Sequence, residues 1–264
     1  MSELKITGAA FAYGEQLIFE DISLETRPGE IFCLMGRNGC GKSTLLDCIL
    51  GIHSLKSGSI QISGKSVDTY KPAELAREMA YLPQSHEHSF PYKVLQVVLM
   101  GRTAYMGRFG SPTQEDKAIV KKLIDKIGIT HLSERPYTQL SGGELQMVML
   151  ARSLAQEAPL ILMDEPTAHL DYYNELLFLE TIASLVRDGQ QTIFMATHSP
   201  NQAFYLENRG VPVRVGLMCG GKLVETGPPA KTLTPGNLGQ VYSIEARILD
   251  SGGTKQVLPV GTLK

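Results

Sequence analysis

Residues 36–43 read Gly-Arg-Asn-Gly-Cys-Gly-Lys-Ser, which fits the pattern G-x-x-x-x-G-K-[ST] at every position. A glycine-rich turn of this kind turns successive backbone N–H groups toward phosphate oxygens. Lys42 is then placed to reach β- and γ-phosphates, and the Ser43 hydroxyl to bind Mg²⁺. A second chemical pair, Asp164-Glu165, ends the apolar run Leu160-Ile-Leu-Met163. Ligands of parallel sheets gather at the carboxyl ends of the strands, so both carboxylates are expected to face the phosphates. Asp164 suits Mg²⁺ coordination, and Glu165 suits the base that orients or deprotonates an attacking water. A third segment, Leu140-Ser-Gly-Gly-Glu144, opens a helix and offers a second helix N-terminus to an anion.

These groups need a scaffold, and the flanking residues describe one. Glu30-Ile-Phe-Cys-Leu-Met35 reads as a buried strand entering the phosphate loop, and Ser43–Leu50 as the helix leaving it. Two β-prone runs, Leu4–Tyr13 and Leu17–Thr26, precede a turn at Arg27-Pro28-Gly29. Residues 57–64 read as a turn and strand, Pro72–Glu78 as a short helix and Met79–Pro83 as a short strand. Residues 92–155 are mostly helical, with Ile119, Val120, Leu123, Ile124 and Ile127 at helical spacing. Strand–helix alternation returns over 160–219, which argues for helices packed around a largely parallel sheet. The expected fold class is α/β. Residues 1–84 and 159–264 form the core with a β subdomain and a short tail, and 85–158 an inserted helical subdomain.

Composition narrows the classes. A chain of 264 residues with net charge −2 has no basic field that would point to nucleic acid. No apolar run approaches the roughly 20 residues of a membrane helix. The N-terminus lacks a basic-then-apolar leader. Cys33, Cys40, Cys48 and Cys219 show no paired metal spacing and fit a reduced compartment.

The pentapeptide Leu140–Glu144, about 20 residues before Asp164-Glu165, is the signature of ATP-binding-cassette ATPases, and the chain resembles that family over nearly its whole length. The resemblance implies a P-loop core with an N-terminal antiparallel β subdomain and an inserted helical signature subdomain. It implies that ATP is held by Gly36, Arg37, Asn38, Gly39, Cys40, Gly41, Lys42, Ser43 and Thr44, with Tyr13 stacking on adenine. Gln84 resembles the Q-loop glutamine that reaches metal and water, so Mg²⁺ would be met by Ser43, Gln84 and Asp164. His198 resembles the switch histidine, and Ala168-His169-Leu170-Asp171 the D-loop. Two cassettes would sandwich two nucleotides, with Ser141, Gly142 and Gly143 of one facing the phosphate loop of the other. Glu165, His198, Gln84 and Lys42 would carry catalysis. Four places depart from the family pattern: Ser199, Ala168-His169, Leu145-Gln-Met147 and Cys40. None of them removes a catalytic group.

Met100–Phe109 and Ser111–Asp116 resemble the helical subdomain of importers of iron–siderophore, haem and cobalamin complexes, with molybdate carriers among the relatives. This implies an ATPase motor at the cytoplasmic side of the cell membrane, a homodimer joined to a polytopic permease and, through it, to a substrate-binding protein. The alternatives are a soluble ATPase of the iron–sulfur assembly kind and an exporter cassette. Phe90, Tyr92 and Tyr105 are expected to line a groove for the permease. His86-Glu87-His88 reads as an exposed polar loop, and Pro228-Pro229 and Pro235-Gly236 as tail turns. Cys40, near a helix N-terminus and Lys42, is expected to be an activated thiol.

Overall fold

The computed structural model of the chain describes residues 3–84, 90–107, 110–189 and 191–263. The expected polar loop at 86–88, and Phe109, lie outside these residues. The chain opens with β1 (Leu4–Tyr13) and β2 (Gln16–Glu25), paired antiparallel. After them come β3 (Ile31–Met35), α1 (Lys42–Ile49), β4 (Ser57–Ile62) and β5 (Lys65–Ser66). Helix α2 (Pro72–Glu78) leads into β6 (Met79–Leu82). Helices α3 (Val94–Leu99), α4 (Gln114–Lys126) and α5 (Gly142–Ala155) separate β6 from β7 (Leu160–Asp164). The alternation resumes with α6 (Tyr172–Arg187), β8 (Thr192–Thr197), α7 (Pro200–Asn208), β9 (Val213–Cys219) and β10 (Lys222–Gly227). Two short helices, α8 (Pro229–Thr232) and α9 (Pro235–Tyr242), and the hairpin β11 (Ile244–Ser251) with β12 (Thr254–Thr262) complete it.

The main sheet has the order β10-β9-β3-β8-β7-β6. Its five strands from β9 to β6 are parallel, and β10 is antiparallel to β9. A second, antiparallel sheet has the order β2-β1-β4-β5. Alternate side chains of the central strands enter different cores. Ile31, Cys33 and Met35 of β3, Ile161 and Met163 of β7, and Ile193 and Met195 of β8 join α3–α7 and α9 on one side. Phe32, Leu34, Leu160, Leu162, Phe194 and Ala196 join α1 and the antiparallel sheet on the other. Both faces are therefore dry, which is why these strands read as continuous apolar runs. Phe32 and Phe194 stack on adjacent strands with centroids 5.2 Å apart and planes 6° from parallel. Such a pair adds about 0.5–1.5 kcal/mol beyond the area it buries.

The tail differs from expectation. Pro229 and Pro235 do not make turns but start α8 and α9, where a residue without an N–H leaves no intrahelical bond unmade. The last strands form a two-stranded hairpin fastened to α7 by Asn201, whose amide donates to the Val257 carbonyl at 3.2 Å and accepts from its N–H at 2.7 Å.

The helices between β6 and β7 are tied together by a buried cation. Arg102 Nε donates to Asp116 Oδ1 at 2.8 Å, and Nη1 donates to the Ala155 carbonyl at 2.9 Å and Glu157 Oε2 at 2.6 Å. Asp116 also caps its own helix with Thr113. The guanidinium and the Thr113 hydroxyl and N–H hold the Asp116 carboxyl down at about 2. A carboxylate depressed in the folded state contributes stability fully above its unfolded value, about 3.9, and loses it as pH falls through the folded value. Thermal melting of the wild type is therefore expected to fall more steeply from pH 4 to pH 2 than that of Asp116→Asn. Parallel melting curves would remove this ion pair from the acid response.

Candidate functional site

The phosphate loop leaves β3 at Met35 and enters α1 at Lys42, at the carboxyl edge of the parallel strands. The helix begins at Gly41 without a side-chain cap, and no acid lies in its first turn. By contrast α4, α5, α6 and α9 are capped by Thr113, Ser141, Asp171 and Thr234. The first N–H groups of a helix have no partner within it, and the dipole there favours negative charge. The α1 terminus is thus open to an anion. Asn38, Gly39, Gly41, Lys42, Ser43 and Thr44 line a cleft of about 320 Å³ with Ile18, Gln84 and Glu165. Gln84 reaches it from the end of β6.

Lys42 is buried, with Nζ donating to the carbonyls of Gly36 at 2.8 Å and Arg37 at 3.3 Å. Nζ also lies 3.7 Å from Glu165 Oε1, and the other Glu165 oxygen lies 3.1 Å from His198 Nδ1. Glu165 has φ +42°, a conformation that costs a non-glycine residue energy and clusters at functional sites. Its N–H donates to the Ala196 carbonyl of β8 at 2.9 Å, and its carbonyl accepts from Ala168 N–H at 3.1 Å. The strand end and the turn together hold the carboxylate over the cleft.

Asp164 ends β7 and is buried. Burial pushes its carboxyl above the usual range, and a hydrogen bond from Ser43 opposes that shift. Its Oδ1 is buried without a hydrogen-bond partner. An orphaned carboxylate oxygen beside a serine hydroxyl, with the Gln84 amide on the same cleft, is a donor set that fits Mg²⁺. That ion takes one or two carboxylates and fills its other positions with water and phosphate. Among the described residues there is no cluster of three or more His, Cys, Asp or Glu that could hold a metal by itself.

Other expected residues lie apart from this cleft. Tyr13, at the end of β1, is half-exposed and stands edge-on to Phe11 and to His53. Ser141, Gly142 and Gly143 open α5. Ser141 and Glu144 form a reciprocal cap, with Ser141 N–H donating to Glu144 Oε2 at 2.8 Å. A Cβ at Gly143 would stand 2.3 Å from the Asn174 side chain, which Asp171 holds through two hydrogen bonds from its amide. Glycine there permits the close approach of α5 to the start of α6.

Sequence reading missed three residues at this edge. His53 accepts or donates at 3.1 Å to the Tyr13 hydroxyl and stacks on Phe11. Ser243, just after α9, accepts from Arg37 Nη1 at 3.3 Å across 206 positions of sequence. Gln202 lies buried beneath the His198 turn. None carries a local signal, since each is defined by a partner remote in the chain.

The expectation for Cys40 is overturned. Its side chain does not line the cleft but packs toward Gly36, where a Cβ would meet its Sγ at 2.7 Å. Burial raises the thiol pKa and outweighs the opposing pull of Lys42 and nearby N–H groups. Cys40 is half-buried; Cys33 and Cys48 are buried, with their thiols pushed up to about 12. Maleimide labelling of Cys40 in the folded protein is therefore expected to be slower at pH 7 than that of a free thiol and to rise steadily with pH, since the thiolate is the reactive form. Fast, stoichiometric labelling of Cys40 at pH 7, read by mass spectrometry, would contradict this.

Comparison with known proteins agrees with this geometry. The family model described as ABC transporter matches residues 19–168. An uncharacterised ABC transporter ATP-binding protein of Haemophilus influenzae is 37% identical over 248 residues, covering 93% of this chain and 91% of that one. The iron(3+)-hydroxamate import ATP-binding protein of Bacillus subtilis is 32% identical, covering 97% of this chain and 93% of its own length. A solved metal-chelate type ABC transporter in an inward-facing conformation superposes with a TM-score of 0.85 at 30% identity, covering 98% of this chain and 97% of that one. The chain belongs to the ABC transporter family, as one of its ATP-binding, ATP-hydrolysing proteins.

Proposed function

We propose that this protein is the ATPase motor of an importer of a metal chelate or related cofactor, working in pairs against a separate membrane permease. The observation that carries the catalytic reading is the convergence of Lys42, Glu165 and His198 over the uncapped start of α1. Similarity to an iron-hydroxamate import protein and to a metal-chelate transporter structure supports the substrate class. Among the described residues no helix is long and apolar enough to cross a membrane, so the pathway for the chelate belongs to the permease. The motor's place is then the cytoplasmic face of that permease.

In this reading the N–H groups of Gly39 to Thr44 bind the β- and γ-phosphates. Lys42 exchanges the Gly36 and Arg37 carbonyls for phosphate oxygens, which keeps its charge paired throughout. Tyr13 supplies a ring face to adenine. Mg²⁺, held by Ser43, Asp164 and Gln84, would neutralise phosphate charge when bound. Glu165 orients the attacking water and accepts its proton as the new O–P bond forms and the bond to the leaving ADP oxygen breaks. His198 fixes the Glu165 carboxylate and stands ready for the γ-phosphate. Ser141, Gly142 and Gly143 lie away from this cleft, which accords with a role on the phosphates of a second copy.

Two variants test the assignment. Glu165→Gln is expected to keep ATP binding and slow hydrolysis by roughly 10²–10⁴. Lys42→Ala is expected to lose affinity for ATP itself in equilibrium binding. Wild-type turnover by the first, or wild-type affinity in the second, would displace the residue concerned.

The permease contact has its own test. The apolar residues of 90–106 divide in the structure. Val94, Val97 and Val98 are core, whereas Phe90, Tyr92, Met100 and Tyr105 are 62%, 43%, 42% and 39% exposed. Tyr105 is held in place under Arg102, 4.1 Å from its ring centre, and donates to the Gln156 carbonyl. Tyr92→Ala with Tyr105→Ala should leave the ATPase rate of the isolated protein within about twofold, because neither side chain lies in the cleft, and should abolish copurification with the permease. A much lower melting temperature or an intact complex would reject the groove.

A further inference from the structure

Gln202 lies in the first turn of α7, on its inward face, and is 4% exposed. Every polar position of its side-chain amide that faces the protein is in use. Oε1 accepts from Thr197 Oγ1 at 2.7 Å, and Nε2 donates to Thr167 Oγ1 at 2.7 Å and to Glu175 Oε1 at 2.6 Å. The orientation of the amide follows from chemistry. A flipped group would turn its oxygen toward the Glu175 carboxylate, acceptor against acceptor. Thr197 is buried, and its hydroxyl in turn accepts from Ser199 N–H at 3.1 Å, so it grips the chain on both sides of His198. Thr167 is buried and lies two residues after Glu165, in the turn whose N–H and carbonyl groups fix that carboxylate. Glu175 belongs to the first turn of α6.

From this arrangement we propose that Gln202 is a positioning residue for ATP hydrolysis: one buried amide fixes the distance between the turn bearing Glu165, the turn bearing His198 and the start of α6. The two turns are joined in two ways. The direct link, His198 Nδ1 to Glu165 Oε2, is on the exposed rim, with the imidazole about half open to solvent. The Gln202 link is beneath it, buried at Thr197 and Thr167 and part-buried at Glu175. An exposed charge-assisted contact can exchange partners when a phosphate arrives, whereas a fully satisfied buried amide cannot do so without leaving a donor or acceptor unpaired. Gln202 thus holds the two catalytic turns in register while the groups above them change partners. Because Glu175 lies in the first turn of α6 next to Asn174, whose side chain is held by Asp171 and approaches Gly143, the same amide also ties both turns to the start of α5.

The proposal rests on the roles given above to Glu165 and His198, and a swap experiment separates the two. Gln202→Glu places a carboxylate against that of Glu175. The like charges push the two side chains apart, and kcat for ATP is expected to fall roughly 10–100-fold with KM within about threefold, the cost of misplacing catalytic groups by about an ångström. Glu175→Gln alone keeps a side-chain oxygen for the Gln202 amide and should stay near wild type. The double variant Gln202→Glu with Glu175→Gln restores one donor and one acceptor across the contact and is expected to recover most of the lost kcat. A purely structural role would instead lower the melting temperature and leave kcat per folded molecule unchanged in all three. Failure of Glu175→Gln to rescue Gln202→Glu, or full kcat in Gln202→Glu, would overturn the hub. Glu165→Gln assayed alongside reports on the catalytic reading itself. A loss in Glu165→Gln with an unmoved Gln202→Glu rejects the hub alone, whereas full turnover in Glu165→Gln rejects the reading on which the hub rests.

Discussion

The Glu165 carboxylate, placed between Lys42 Nζ at 3.7 Å and His198 Nδ1 at 3.1 Å, is the contact around which the rest of the molecule is arranged. Three strands bring its members together: β3 through the phosphate loop, β7 directly and β8 through the His198 turn. In the sheet β8 lies between β3 and β7, so a shift of register along either pairing would part lysine, carboxylate and imidazole. Register is fixed by burial. Because both faces are apolar, a slip of one residue would exchange the two cores, moving Phe32, Leu34, Phe194 and Ala196 into space shaped for Ile31, Cys33, Ile193 and Met195. Side-chain volume deep in the sheet thereby sets distances at its edge.

The same logic explains why polar groups concentrate at the strand ends. An apolar strand has no use for an acid until it emerges, and β7 meets this condition at Asp164 and Glu165, one residue buried and the next over the cleft. The positive φ of Glu165 turns successive carboxylates to different tasks: Asp164 toward Ser43, Glu165 toward Lys42 and His198. A relaxed extended backbone would instead send side chains 164 and 165 to opposite faces of the sheet.

How legible this was in the sequence depended on the range of each interaction. The strand entering residues 36–43 and the helix leaving them are local, and Ile31–Met35 and Lys42–Ile49 appear where the apolar run and the glycines place them. The helix at Pro72–Glu78 is equally local, announced by its proline. The hairpin of β11 and β12 was not seen, because its anchor is Asn201 on another element and its own strands are short of buried residues. Tyr13 was legible as the end of a β-prone run and, through the resemblance, as an aromatic for adenine, but the His53 imidazole it stands edge-on to comes from 40 residues away. Cys40 was misread for a related reason. Its sequence neighbours are a lysine and a helix start, whereas its spatial neighbours are the Gly36 backbone and buried side chains, and desolvation outweighs both sequence features.

One consequence of the strand order concerns the birth of the molecule rather than its action. The central strand β3, complete by residue 35, finds its two neighbours in β8 and β9, which begin at residues 192 and 213. A ribosome adding about 5–20 residues per second needs on the order of 10–30 s to deliver β8. Throughout that interval the most apolar strand has neither hydrogen-bonding edge filled. The antiparallel sheet is completed early, because all four of its strands lie within the first 66 residues, and it brings the apolar side chains of α1 and β3 a partial shelter on one face. The other face waits for the helices. Nascent chains of this topology carry an unfilled apolar strand edge for most of their synthesis, and over that interval pairing with another chain competes with folding.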